Sequence, residues 1–115
     1  MINTFLEKLK TAPKSITFAE TITLIEENYS FTPTGFQNGT QYNAAGENSG
    51  SCKIFAFAYL QSLSQAETLA CFGAYYFEEV LNEPNGTNHQ NIRNFIATGW
   101  NGILFEEEAL TAKKA

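Results

Sequence analysis

The sequence predicts an α+β domain, mainly α, in which about five helices surround a central apolar helix at 52–63. A small β-hairpin or short sheet is expected over about 29–43 and 102–106. Three features carry this prediction. The capping-box spacing, serine or threonine followed three residues later by glutamate or glutamine, occurs at Thr17/Glu20, Ser64/Glu67 and Thr87/Gln90, each ahead of a helically spaced apolar run. The stretch CKIFAFAYLQSL, Cys52–Leu63, is apolar nearly all the way round, which suits a helix enclosed by other elements. Between Ser30 and Ser51 the helical period vanishes, and glycine, asparagine and spaced aromatics replace it.

Ile2, Phe5, Leu6 and Leu9 fall at i, i+3, i+4 and i+7 and predict an amphipathic helix over Ile2–Lys10. Lys8 and Lys10 complement its dipole, and Pro13 prevents continuation. Phe18, Ile22, Ile25 and Tyr29 predict the second helix behind the Thr17 box. Tyr29 and Phe31 then alternate as in a strand, and Asn38-Gly39 suits a hairpin between Phe36 and Tyr42. The aromatics Phe31, Phe36 and Tyr42 make packing the expected state of this long connection. After the central helix, the Ser64 box opens a helix to about Leu81 carrying Leu69, Phe72, Tyr76 and Val80 on one face. Cys71 is assigned to the core. Gly73, mid-helix, is expected to permit a close crossing with the central helix. Pro84-Asn85-Gly86 is a turn, and the Thr87 box opens a helix through Ile92, Phe95 and Ile96 that ends near Gly99. Asn101-Gly102 leads into a strand at Ile103-Leu104-Phe105. Glu106-Glu107-Glu108 and Lys113-Lys114 read as a solvated end.

With 115 residues, 43% hydrophobic and 17% charged, the chain is one domain over 1–115 and is neither disordered nor a coiled coil. A net charge of −5 and a single arginine, Arg93, exclude the footprint of a nucleic-acid or anionic-membrane binder. No apolar run reaches the about 18–20 residues of a membrane span. Glu7 interrupts any secretory signal near the start. Cys52 and Cys71 form no CxxC pair and fit reduced thiols of a cytosol. Sequons at Asn28, Asn38 and Asn85 are expected to carry no glycan there. No cofactor is implied. A zinc site from Cys52, Cys71 and His89 would lack a fourth ligand and the close ligand pairs of structural sites.

Every acid is a glutamate, and the eleven asparagines gather in turns and near helix starts. Two polar segments stand out: Gly46–Lys53, which opens the central helix, and Thr87–Arg93, which opens the later one. The first is no P-loop, because three residues rather than four separate Gly46 from Gly50 and Lys53 follows three later. A glycine-rich turn into a helix start still offers free N–H groups, and with Lys53 nearby it suits a small anion; alternatively Ser51 simply caps the helix. Cys52 lies in the first turn, where a thiolate is favoured, and His89, the single histidine, is the base it would need. Gln90 or Asn91 would orient that imidazole. Arg93 lies one turn beyond His89 and suits a carboxylate, of a ligand or of its own fold. Trp100 closes one end of the core or stacks on a ligand. The ligand-binding set is therefore Asn48, Ser51, Lys53, Gln90, Asn91, Arg93 and Trp100, with Cys52 and His89 as the catalytic alternative. Both polar helix entrances are expected at a common spot.

These two segments, GSCKIFAFA (Gly50–Ala58) and HQNIRNF (His89–Phe95), resemble the HopJ family of bacterial type III effector proteins. Phe36-Gln37-Asn38-Gly39, Ala45-Gly46-Glu47-Asn48, Phe72-Gly73 with Tyr75-Tyr76, Pro84, Gly86, Gly99-Trp100 and Gly102-Ile103 match as well, from about Ile16 to Leu110. The resemblance implies a small bacterial domain with no established enzymatic activity, resident in the bacterial cytoplasm or exported by a type III system without a cleaved signal. It leaves a binding module, with a small anion or a host protein as partner and a monomeric or weakly dimeric state, as the leading expectation. The cysteine enzyme is the alternative.

Overall fold

Phe55 and Phe57 sit two residues apart on the central helix and therefore leave it in nearly opposite directions; neither has exposed surface. The structure, a computed structural model, describes residues 2–113. Its α-helices are α1 (Ile2–Thr11), α2 (Phe18–Asn28), α3 (Ser49–Leu60), α4 (Gln65–Ala70) and α5 (Gln90–Thr98), with a π-helical segment at Tyr75–Val80. On α3, the Phe55 ring meets Phe36, Phe72 and Phe95 at centroid distances of 6.1, 5.4 and 5.0 Å. Phe57 meets Phe5 and Tyr29 at 6.0 and 6.1 Å. One helix thus joins the α5 side of the core to the α1 side. The mainly α, α+β fold is as the sequence predicts; the central helix spans Ser49–Leu60 rather than 52–63 and is enclosed only as far as Ala58, with Tyr59 and Leu60 exposed. Among the described residues no helix is long and apolar enough to cross a membrane.

The strands form two small sheets. β1 (Tyr29–Phe31) pairs antiparallel with β5 (Leu110–Ala112), and β2 (Phe36–Asn38) lies between β3 (Gln41–Asn43) and β4 (Ile103–Phe105). The expected hairpin is present with Asn38 opposite Gln41, so Gly39 and Thr40 make the turn, Gly39 at φ +63°.

Five local expectations are corrected. The helix foreseen from Ser64 to Leu81 is broken: α4 stops at Ala70, and Gly73 takes φ +62°, which a continuing helix cannot hold. Gly73 does allow a close approach, but to the entry of α2 rather than to the central helix. A Cβ there would lie 2.7 Å from the Phe18 backbone nitrogen and 3.0 Å from the Ile16 carbonyl oxygen. The third capping box is absent: α5 begins at Gln90 behind a left-handed His89, and Thr87 stays outside. Ser51 does not cap α3, which starts two residues earlier with Asn48 as its N-cap. Finally, the chain beyond the exposed Glu106–Glu108 run is no solvated end. Ala109 and Leu110 are buried, and β5 adds to β1 because its Leu110 turns inward opposite Phe31. Lys113 donates to the Glu26 carbonyl at 2.7 Å; Lys114 lies outside the described residues.

Candidate functional site

α3 and α5 start side by side, and both start unusually. Their N-caps, Asn48 and His89, each take φ +51°, in the left-handed region, and neither side chain caps its helix. The first-turn N–H groups therefore lack the side-chain acceptor that the capping boxes supply elsewhere. Between the two starts lies a cleft of about 340 Å³ lined by Asn48, Gly50, Ser51, His89, Gln90 and Asn91, with Gln41 and the rings of Phe18 and Tyr75 completing its walls. The two polar segments thus meet.

A buried amide network holds the meeting point. Asn38, Asn43 and Asn91 are 0%, 0% and 5% exposed. The Asn91 side-chain oxygen accepts from Asn38 Nδ2 at 2.9 Å and Asn43 Nδ2 at 3.2 Å, and Asn91 Nδ2 donates to Asn43 Oδ1 at 3.0 Å. Asn43 Oδ1 also accepts from Asn48 Nδ2 at 2.7 Å. Asn94 Nδ2 reaches the Asn38 carbonyl and Gln41 Oε1 at 3.3 and 3.1 Å. β2, β3, α3 and α5 are pinned together by amides, which cannot titrate. One atom is left over: Asn38 Oδ1 is the buried side-chain oxygen without a partner among the described residues.

His89 is the one titratable group on the cleft that also has a charged partner. Its Nε2 pairs with Glu79 Oε1 at 2.7 Å, and its ring lies 5.0 Å from that of Tyr75. Tyr75 in turn stands edge-on to Phe18 at 5.0 Å.

The remaining candidates point elsewhere. Lys53 pairs with Glu26 at 3.1 Å and sits 4.9 Å over the Phe31 ring, on the α2 side of α3. Arg93 finds carbonyls where a carboxylate was expected: its guanidinium donates to Glu83 O and Asn88 O at 2.6 Å and to Asn88 Oδ1 at 2.7 Å. It ties down the 83–88 turn, and by holding Asn88 it takes the chain away from the capping geometry expected at Thr87. Trp100 donates Nε1–H to the Leu63 carbonyl at 3.0 Å and packs edge-on to Phe95, so it closes the core. Cys52 is 2% exposed, and burial pushes its thiol up to about 11 although it lies in a first helical turn. Desolvation outweighs the lowering by a hydrogen bond with the Thr34 backbone and by the Lys53 charge. No hydrogen bond joins Cys52 to His89, whose paired nitrogen is taken by Glu79, and Cys52 does not line the cleft. Cys71, fully buried, is pushed up to about 12 by desolvation.

Sequence reasoning missed Gln41, Tyr75 and Phe18 as cleft walls and Asn43 as the pivot of the network. Tyr75 lies within a matched motif stretch and Gln41 two residues beyond one, but nothing local marks a buried asparagine among so many in turns.

The sequence profile of the HopJ type III effector proteins matches residues 2–110. No curated protein matches the chain. Among solved structures, the crystal structure of VPA0580, a protein of unknown function, is similar with a TM-score of 0.97 and 54% identity, covering 98% of this chain and 94% of that one.

Proposed function

The chain belongs to the HopJ type III effector family, and from that membership we propose that it acts by binding a small polar, acceptor-bearing ligand in the cleft between the starts of α3 and α5. The observation that carries this reading is the pair of left-handed, uncapped helix starts facing one cavity. First-turn N–H groups without a side-chain acceptor and two positive dipole ends favour a carboxylate, a phosphate or a carbonyl group. Ser51 and Gln90 add neutral hydrogen-bonding side chains, and His89, oriented by Glu79, adds a ring nitrogen. No lysine or arginine lines the cleft, so recognition rests on directed donors rather than on net charge. Buried thiols with raised pKa values weigh against the cysteine-enzyme alternative.

The test is a melting-temperature screen with phosphate, small carboxylates and amides. A saturating ligand at about a hundredfold its Kd adds about 2.7 kcal/mol of stability. The rise should disappear in Ser51→Ala and Gln90→Ala variants that melt like the parent without ligand. A rise that survives both substitutions, or its absence across the screen, would defeat the reading. Delivery by a type III system without a cleaved signal is part of the same proposal. A translocation reporter fused to the first ~30 residues checks it, with failure to export counting against it.

A further inference from the structure

Past the cleft, α3 changes character. Its C-terminal half exposes Tyr59 and Leu60 at 68% and 49%, and the neighbouring strand β4 exposes Leu104 at 70%. Two hollows of about 480 and 270 Å³ run along the junction of α3 with β4 and the segment leading to β5. Both are walled by Tyr59 and Phe105, so the two apolar hollows adjoin and form a groove of two compartments, Trp100 lining one and Leu110 the other. β4 is an edge strand of its sheet, so its outer side also offers unpaired backbone groups. The groove's charge has one sign. Glu107 and Glu108 line it, Ser62 places the negative end of the α3 dipole beside it, and no lysine or arginine lines either hollow.

We propose that this groove docks a segment of another protein that presents large apolar side chains flanked by lysine or arginine. Contiguous exposed apolar surface at a sheet edge is the usual mark of a docking site. The acidic rim then selects a basic partner. It also disfavours a second copy of this chain: an isologous contact would bring together two Glu106–Glu108 runs of a molecule carrying −5 net charge. The groove and the ligand cleft share no lining residue, so either reading stands or falls alone.

An NMR titration of the whole protein with a model leucine–lysine amphipathic peptide tests the docking, with a matched leucine–glutamate peptide as control. Saturable shifts at Tyr59, Leu60, Leu104 and the Trp100 indole are expected with the lysine peptide alone. Leu104→Glu, at an exposed position that leaves the melting temperature in place, should weaken binding by at least about tenfold. Glu107→Gln/Glu108→Gln should weaken it by about threefold. Mere charge attraction would make Leu104→Glu bind more tightly, which would overturn the proposal. So would equal binding of the glutamate peptide, a lack of saturable binding, or a dimer in sedimentation that Leu104→Glu dissolves.

Discussion

α2 and α4 begin as isolated helices begin. Thr17 and Ser64 accept from the N–H three residues on, at 3.1 Å each, and Glu20 and Glu67 reach back to the cap N–H at 2.8 and 2.9 Å. α3 and α5 do neither. Their starts are held from outside, by Asn43 on Asn48 and by Glu79 on His89, in a backbone region that costs a non-glycine residue about 1 kcal/mol. The first pair is locally self-sufficient; the second depends on tertiary partners and leaves its first turns without a side-chain cap beside the cleft. Departure from local rules, where the surroundings maintain it, is where function is to be sought.

The strongest way to break this contrast is Asn91→Ala. If the amide network holds the two irregular starts, its loss costs about 3 kcal/mol in urea unfolding, because Asn38 and Asn43 lose buried partners. A cost near that of a surface change, below about 0.5 kcal/mol, would remove the network from the account. Next comes the thiol at the α3 start. A folded-state pKa raised above the unfolded value means that stability is level below about pH 8.5 and falls as pH rises toward about 11 for Cys52 and about 12 for Cys71. The loss from each thiol should reach about 2–3 kcal/mol by pH 11 and be absent in a Cys52→Ala/Cys71→Ala variant compared at the same pH values. Disulfide-reagent labelling at pH 8 should then track unfolding; rapid labelling of the native protein would revive an activated Cys52. Thr17→Ala and Ser64→Ala should each cost about 1 kcal/mol, the ordinary value of a lost cap. Smallest, and opposite in sign, His89→Gly should leave the melting temperature level or raise it, by up to about 1 kcal/mol of stability, since it relieves a left-handed backbone and gives up an exposed contact. A clear destabilisation there would mean that His89 is a structural cap after all.

The same contrast explains what could be read from the sequence. Both true capping boxes, the enclosed α3, the β2–β3 hairpin and β4 were legible because each follows from residues within one or two turns. The box at Thr87 misled because its spacing was right while Arg93, six residues on, fixed the intervening turn in another shape. Ser64–Leu81 misled because its apolar period continues straight through Gly73, whose φ is dictated by the α2 entry far away in the chain. For the site, Asn48, Ser51, His89, Gln90 and Asn91 do share a cleft, as the polar helix openings suggested. Lys53 and Arg93 do not join them, since long basic side chains turn to whichever acceptor lies nearer, Glu26 for one and the 83–88 carbonyls for the other.

The pairing of Tyr29 with Ala112 has a bearing on synthesis. β1 is made before β5, its sheet partner among the described residues, and the helices and strands between them must be made first, so the edge of β1 stays open while those elements emerge from the ribosome. Until β5 arrives, β1 presents a row of unpaired backbone groups.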